Sequence, residues 1–224
     1  MIHESWGEEL IELAENKKKD LISLGEKFLP AEKNIFKALE KPFQDVKVLI
    51  IGQDPYPLKK NKERKDDIEH AHGLAFSSLS KDTPASLKNI FKELGNEYKL
   101  ESNNLTSWAD QGVMLLNRAL TYESKNKTNE HIKFWKEVID KTIEKLLNKE
   151  EPLVVMLWGK EANDLIPTVP KDKKNILILR ASHPSPLSFY HKPKKFDGDP
   201  FEKCQHFSRC NEFLGVDNQI DWST

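Results

Sequence analysis

The chain has 224 residues, 38% hydrophobic and 32% charged, with a formal net charge of −1. That length suits one domain with a substantial core, and the absence of any apolar run near the roughly 20 residues a bilayer demands excludes a membrane-spanning helix. The cysteines, Cys204 and Cys210, are too few for a disulfide framework or a four-thiolate iron–sulfur cluster.

Met1-Ile2-His3-Glu4 does not begin a secretory signal pattern, so a reducing, cytoplasmic location is expected. The near-neutral charge argues against a general nucleic-acid coat, but placement matters more than the sum. Lys59-Lys60-Asn61-Lys62-Glu63-Arg64-Lys65 and His191-Lys192-Pro193-Lys194-Lys195 are basic runs. Either run alone reads as a solvated loop; together they flank the candidate site loops.

In chain order, residues 7–16 and 31–38 have helical patterning and precede an apolar run, 46–51, that reads as a buried strand. An amphipathic helix follows over 84–97, with Thr83 as its expected N-cap and Pro84 in the first helical position. Strands at 113–116, 153–157 and 176–179 alternate with helices at 131–147 and 160–165, and a closing helix is expected at 201–213. The alternation predicts a single-domain α/β fold: a central four-stranded, mostly parallel sheet flanked by helices on both faces.

The first strand runs into Gly52-Gln53-Asp54-Pro55-Tyr56-Pro57, a turn stiffened by two prolines. Taken alone, it is equally an ordinary solvated turn. The second strand leads into Asn117-Arg118, the third into Trp158-Gly159 and the fourth into the loop opening at Ser182-His183. Parallel strands place these loops on one sheet edge, so Asp54, Asn117 and His183 are expected to converge on one cleft. No nucleophile elbow, Walker-type loop or dinucleotide fingerprint is present, so no cofactor is expected. The histidines are too widely spaced for a zinc motif; His70 and His72, the nearest pair, read as loop histidines, and no metal is expected.

Gln53-Asp54-Pro55-Tyr56, Ala71-His72-Gly73-Leu74-Ala75-Phe76-Ser77, Leu115-Leu116-Asn117 and His183-Pro184-Ser185-Pro186-Leu187-Ser188 resemble, in order, the signature motifs of family 1 uracil-DNA glycosylases. Supporting segments such as Trp108-Ala109-Asp110-Gln111-Gly112-Val113, Leu157-Trp158-Gly159 and His206-Phe207-Ser208 extend the likeness over about residues 30–213.

The resemblance implies excision of uracil from single- or double-stranded DNA by a monomer, with the base flipped into a pocket. Asp54 and His183 are the implied catalytic pair. Asp54 stabilises a cationic sugar and handles the attacking water, and His183 donates to uracil O2. Gln53, Tyr56, Phe76 and Asn117 are the implied uracil-binding residues. Phe76 stacks on the ring, Tyr56 blocks the methyl group of thymine, Gln53 contributes through its backbone and Asn117 reads the base edge. Cytosine reverses the donor and acceptor Asn117 meets, and each unmatched buried group costs about 1–3 kcal/mol. Pro84, Ser86, Ser185 and Pro186 are the implied phosphate-pinching residues, and Leu187 the side chain filling the vacated space. A protein that mimics DNA is the implied inhibitor.

The sequence departs from the family pattern at Pro57, where histidine is usual, and at Lys160, where serine is common after Trp-Gly. Residues 58–70 are longer and more charged than the usual connection and are expected to form an exposed flexible loop beside the cleft. Residues 189–203 are also atypical, and no contacts are carried onto them. Pro57 leaves open a catalytically weak DNA-binding relative. A glycosylase of broader specificity is disfavoured by Tyr56 and Asn117.

Overall fold

The computed structural model describes residues 1–57, 59–60, 67–68, 70–166 and 173–224. Its centre is a sheet of β1 (Val48–Gly52), β4 (Val113–Asn117), β5 (Leu153–Trp158) and β6 (Ile176–Ala181), in the order β4-β1-β5-β6. Every pairing is parallel. Every residue of β1, β4 and β5 is buried. Successive strand residues face opposite ways, so both sheet faces are covered, as the continuous apolar runs demanded.

The chain visits β1, crosses to β4 on one side and returns to β5 on the other. The order reverses at β1, and such a reversal opens a crevice at the carboxyl ends of the strands. Register sharpens its position: Gly52 pairs with Asn117 at the same edge.

The helices are α1 (Glu8–Ser23), α2 (Ala85–Leu94), α3 (Thr106–Asp110), α4 (Thr128–Leu147), α5 (Lys160–Asn163) and α6 (His206–Leu214). The first packs on α4, while α6 covers β5 and β6. One hydrophobic cluster runs from Ile2 to Trp222 and includes all five tryptophans. Lys149, at the end of α4, is wholly buried, and its ammonium donates to the carbonyls of Phe43 (3.3 Å), Gln44 (2.9 Å) and Val46 (2.9 Å). It ties the crossover helix to the chain entering β1. No described helix is long and apolar enough to cross a membrane.

Several expectations change. Residues 31–38 form two short 3-10 turns, Glu32–Asn34 and Lys37–Leu39, rather than an α-helix. Ile35, Phe36, Ala38 and Leu39 are all buried, so helix-like spacing is satisfied without a continuous helix. Thr83 does not cap α2: its hydroxyl donates to Asn103 Oδ1 (2.8 Å), and Pro84 occupies the N-cap position. The closing helix begins at His206 rather than 201. In the charged insertion, β2 (Lys59–Lys60) and β3 (Asp67–Ile68) pair antiparallel. Its residues 58, 61–66 and 69, on which most of the flexible-loop expectation rests, lie outside the described residues. His70 and His72 do lie in loop segments, as read. Both are buried, against the hydroxyls of Ser78 (3.1 Å) and Ser77 (2.6 Å).

Candidate active site

A cavity opens where the sheet order reverses, and Gln53, Asp54, Tyr56, Phe76, Ser86, Asn117 and His183 all line it. Five separate stretches of chain therefore supply one wall set, and parallel topology brings the Asp54, Asn117 and His183 stretches together. Backbone bonds fix their spacing: Arg118 N–H donates to Gly52 O (3.0 Å), Ala119 N–H to Gln53 O (2.9 Å) and Ala75 N–H to Leu115 O (3.0 Å). The loop after β1 and the loop carrying Phe76 both hang from β4.

Asn117 ends β4 and is buried. A Cβ at Gly52 would lie 2.3 Å from its Oδ1, so the strand closes tightly on the amide only because residue 52 is glycine. Among the described residues the Asn117 amide has no hydrogen-bond partner, although most buried polar groups have one. Its donor and its acceptor are left for whatever enters the cavity.

Phe76 sits at φ +62°, in the left-handed region that non-glycine residues seldom adopt. Such strain persists only where the surroundings impose it. Here the ring packs against Trp158 (centroids 5.3 Å apart) and faces His183 (6.2 Å). Tyr56 Oη–H donates to the Phe76 carbonyl (3.3 Å), which anchors the phenol on the same wall, and burial pushes its pKa up.

His183 follows β6. The Ser185 N–H donates to its Nδ1 (3.0 Å), so the neutral ring carries its proton on Nε2. Burial holds the imidazole pKa below its usual 6.5, which favours that neutral form. Gly159, at φ +88°, lets β5 end against this ring: a Cβ there would lie 2.9 Å from the His183 Cβ. Asn89 Nδ2 of α2 donates to Pro184 O (2.7 Å) and ties the loop to the opposite side of the cleft.

Burial raises the Asp54 pKa above the ordinary 3.8, and a hydrogen bond from Thr128 Oγ1–H to Oδ2 (3.2 Å) opposes that shift. Thr128 opens α4, whose positive N-terminal end also favours a nearby carboxylate. The site thus sets a half-buried carboxylate, a neutral imidazole N–H donor, an unpartnered amide and an aromatic face around one cavity.

The chain matches the model of the uracil DNA glycosylase superfamily over residues 41–215. It belongs to that superfamily. It is 41% identical to a uracil-DNA glycosylase of Agathobacter rectalis over 202 residues, covering 86% of this chain and 81% of the relative. Identity to the Oceanobacillus iheyensis uracil-DNA glycosylase is 40% over 205 residues, 88% of this chain and 81% of that one. The crystal structure of mimivirus uracil-DNA glycosylase superposes with a TM-score of 0.78 at 29% identity, covering 92% of this chain and 78% of that one. A mimivirus variant solved in complex with UGI superposes equally well, at 28% identity over 97% of this chain and 84% of that one.

The remaining family-motif residues form the cleft's rim. Ser86 reaches the cavity, while Pro84 lies half-buried just ahead of α2. Ser185 lines an adjoining cavity rather than the first, and Pro186 and Leu187 stand exposed at the loop tip, Leu187 at 89%. Ser182, Ser185 and Ser188 bind the loop together: Ser188 Oγ–H donates to His183 O, Ser182 Oγ–H to Ser188 O, and the Ser185 and Ser188 hydroxyls meet at 2.8 Å. Trp158, from the supporting segment Leu157-Trp158-Gly159, stands behind Phe76. Thr128 sits in no motif, and only the fold brings it to Asp54 across 74 positions.

Proposed function

We propose that this protein is a family 1 uracil-DNA glycosylase, hydrolysing the bond between uracil and deoxyribose in DNA to leave free uracil and an abasic site. The observation that carries the reading is the unpartnered Asn117 amide, buried in the same cavity as Asp54 and the Nε2–H of His183. The amide oxygen accepts from uracil N3–H while its NH₂ donates to O4; cytosine offers the opposite groups at both positions. Phe76 stacks on the flipped ring, and Tyr56 fills the space a thymine methyl would need.

As the C1′–N1 bond breaks, its electron pair goes to the base and positive charge grows on the sugar. His183 Nε2–H hydrogen-bonds O2 as that oxygen becomes anionic, a fixed donor aimed at developing charge. The Asp54 carboxylate stabilises the cationic sugar and orients a water, whose oxygen bonds C1′ and whose proton passes to Asp54. Gln53 contributes through the backbone of its turn. Pro84, Ser86, Ser185 and Pro186 hold phosphates, and Leu187 occupies the gap left by the flipped base. All the residues this scheme uses lie on one chain, which supports action as a monomer. The cleft rim offers the same surface to a DNA-mimicking inhibitor as to DNA.

The test is incubation with uracil-containing single-stranded and duplex oligonucleotides. Release of uracil and an alkali-labile abasic site is expected, and its absence at micromolar protein overturns the reading. Asn117→Asp presents the edge pattern for cytosine; cytosine excision is expected to rise relative to uracil, and a fixed ratio would show that the base edge is read elsewhere.

A further inference from the structure

A second hollow shares one wall residue, Pro57, with the base cavity. It measures about 690 Å³ against about 200 Å³ for the base cavity, so a flat ring has room to enter. Its apolar lining comes from Phe28, Leu29, Pro57 and Tyr122. The Leu29 N–H donates to Tyr122 O (2.7 Å) and the Tyr122 N–H to Leu29 O (2.8 Å), so the two segments are fixed to each other before any ligand arrives. Phe28 packs against the core. Thr121 turns its hydroxyl inward, to His131 Nδ1 (2.8 Å) and Trp135 Nε1 (2.7 Å), while Tyr122 faces the hollow. The Tyr122 side chain is half-buried, yet among the described residues its ring meets no other aromatic ring and its hydroxyl makes no hydrogen bond. Each carboxylate at the hollow already faces a lysine: Glu26 (2.8 Å) and Glu123 (2.7 Å) share Lys127, and Glu32 faces Lys18 (3.7 Å). Lys27 and Lys125 also line it, and among the described residues neither has an ion-pair partner.

We propose that this hollow stacks a neighbouring base of a single-stranded substrate on the Tyr122 ring, beside the flipped uracil. The inference rests on the base-pocket reading given above. Every base presents a π-face, so an unpartnered aromatic ring in a wide hollow accepts any of them without reading sequence. The shared wall at Pro57 sets the hollow next to the flipped nucleotide, where a strand with its uracil in the base cavity carries its next bases. Burial, and then the charge of Asp54, raise the phenol pKa, so the ring stands within electrostatic reach of the carboxylate assigned to the sugar. Lys27 and Lys125 offer unpaired charge to the phosphate that travels with the stacked base. In a duplex the flanking bases stay paired, and turning a second one out would repeat the cost of flipping the first. The hollow therefore serves single strands.

The test measures kcat/KM for uracil release from single-stranded oligonucleotides in which each nucleotide flanking uracil is replaced in turn by an abasic spacer, which keeps the phosphates and removes the base. For the wild type, a spacer on one side of uracil is expected to lower kcat/KM roughly five- to tenfold, the lower range of one base–aromatic stack. Tyr122→Leu should lose a similar factor on the intact strand and become insensitive to that spacer, because both changes delete one contact. Its activity on duplex DNA should be nearly unchanged. Tyr122→Phe keeps a stacking face and should match the wild type. A phenylalanine variant as poor as the leucine one would assign the effect to the hydroxyl near Asp54 and overturn the proposal. So would equal losses on single-stranded and duplex DNA, or a Tyr122→Leu variant that keeps the wild-type spacer penalty. The wild-type series needs no substitution, so a flat series overturns the proposal even if Tyr122→Leu fails to fold. If the wild type releases no uracil, binding of uracil-free single-stranded DNA by the wild type and Tyr122→Leu, read by fluorescence anisotropy, tests the stack apart from the function; weaker binding by the variant supports it and equal affinities overturn it.

Discussion

The two sides of the cleft are built differently. The wall holding Asp54, Tyr56, Phe76 and Asn117 hangs from buried parallel strands, and its spacing is set by sheet register and by backbone bonds between the two loops. The side holding residues 183–188 is braced internally by serine hydroxyls, yet it thrusts Leu187 almost wholly into solvent. One side is organised before any substrate arrives; the other carries apolar surface that only a partner can bury. Chemistry that depends on charge placement needs the first kind of construction, because a preformed site loses nothing to reorganisation. Opening a duplex needs the second, because the cost of unstacking is met by surface exposed beforehand.

Breaking the rigid wall should therefore abolish excision whatever the strand form. Asp54→Asn keeps the shape and removes the charge. We expect uracil release to fall by about 10³-fold on single-stranded and duplex DNA alike, the scale of losing one preorganised electrostatic group. The same substitution should raise the melting temperature near neutral pH. Burial raises the folded pKa of Asp54 above its unfolded value, so its contribution to stability declines as pH rises through the window between the two and stays unfavourable above it. Asn removes that burden. A variant that loses activity and also melts earlier would mean that Asp54 serves the fold, contrary to this account.

Breaking the exposed side should discriminate between strand forms. Leu187→Ala removes an 89% exposed side chain that contributes nothing to the core, so stability should hold. Excision from duplex DNA is expected to drop about tenfold, a fraction of the few kcal/mol needed to unstack a base, while single-stranded DNA is nearly unaffected. Equal losses on both substrates would place Leu187 in general DNA binding rather than in filling the vacated space.

The contrast also explains what could be read from the chain alone. The strands were legible because burial on both faces leaves continuous apolar runs such as 48–52 and 153–158. Parallel topology then brought Asp54, Asn117 and His183 to one edge without any contact information. Residues 31–38 were not legible, because buried Ile35, Phe36, Ala38 and Leu39 have the spacing of a helix while folding as separate turns. Local periodicity reports which residues are buried, not whether the backbone between them is continuous. Thr128 escaped for another reason. Its contact with Asp54 spans 74 positions, and a threonine opening a helix has many ordinary uses.

Thr128 also gives the finest test of the comparison, because among the described residues it is the one helix residue that hydrogen-bonds the Asp54 carboxylate. Pro57 lines the same cavity and carries no side-chain donor, so the polar support of Asp54 comes from α4. The hydroxyl bond lowers the Asp54 pKa against the opposing effect of burial. In Thr128→Val the hydroxyl no longer opposes burial, so the carboxyl should titrate at higher pH and the acid limb of the kcat/KM profile, which reports the free enzyme, should move up. Activity near neutral pH should fall only about two- to fivefold, the worth of one modest hydrogen bond. The deficit should widen as pH falls and shrink as pH rises. Other ionisable groups about the carboxylate are Tyr56 and His183, which line the same cavity, and Tyr122, whose phenol pKa is raised in part by Asp54. The His183 pKa is held low by burial, which Thr128→Val leaves in place, so the limb that moves should be the carboxylate's own. Thr128→Ser retains a hydroxyl and should restore the profile. A limb that stays put in Thr128→Val, or a serine variant that fails to restore it, would show that the sheet-edge wall alone sets the charge state of Asp54.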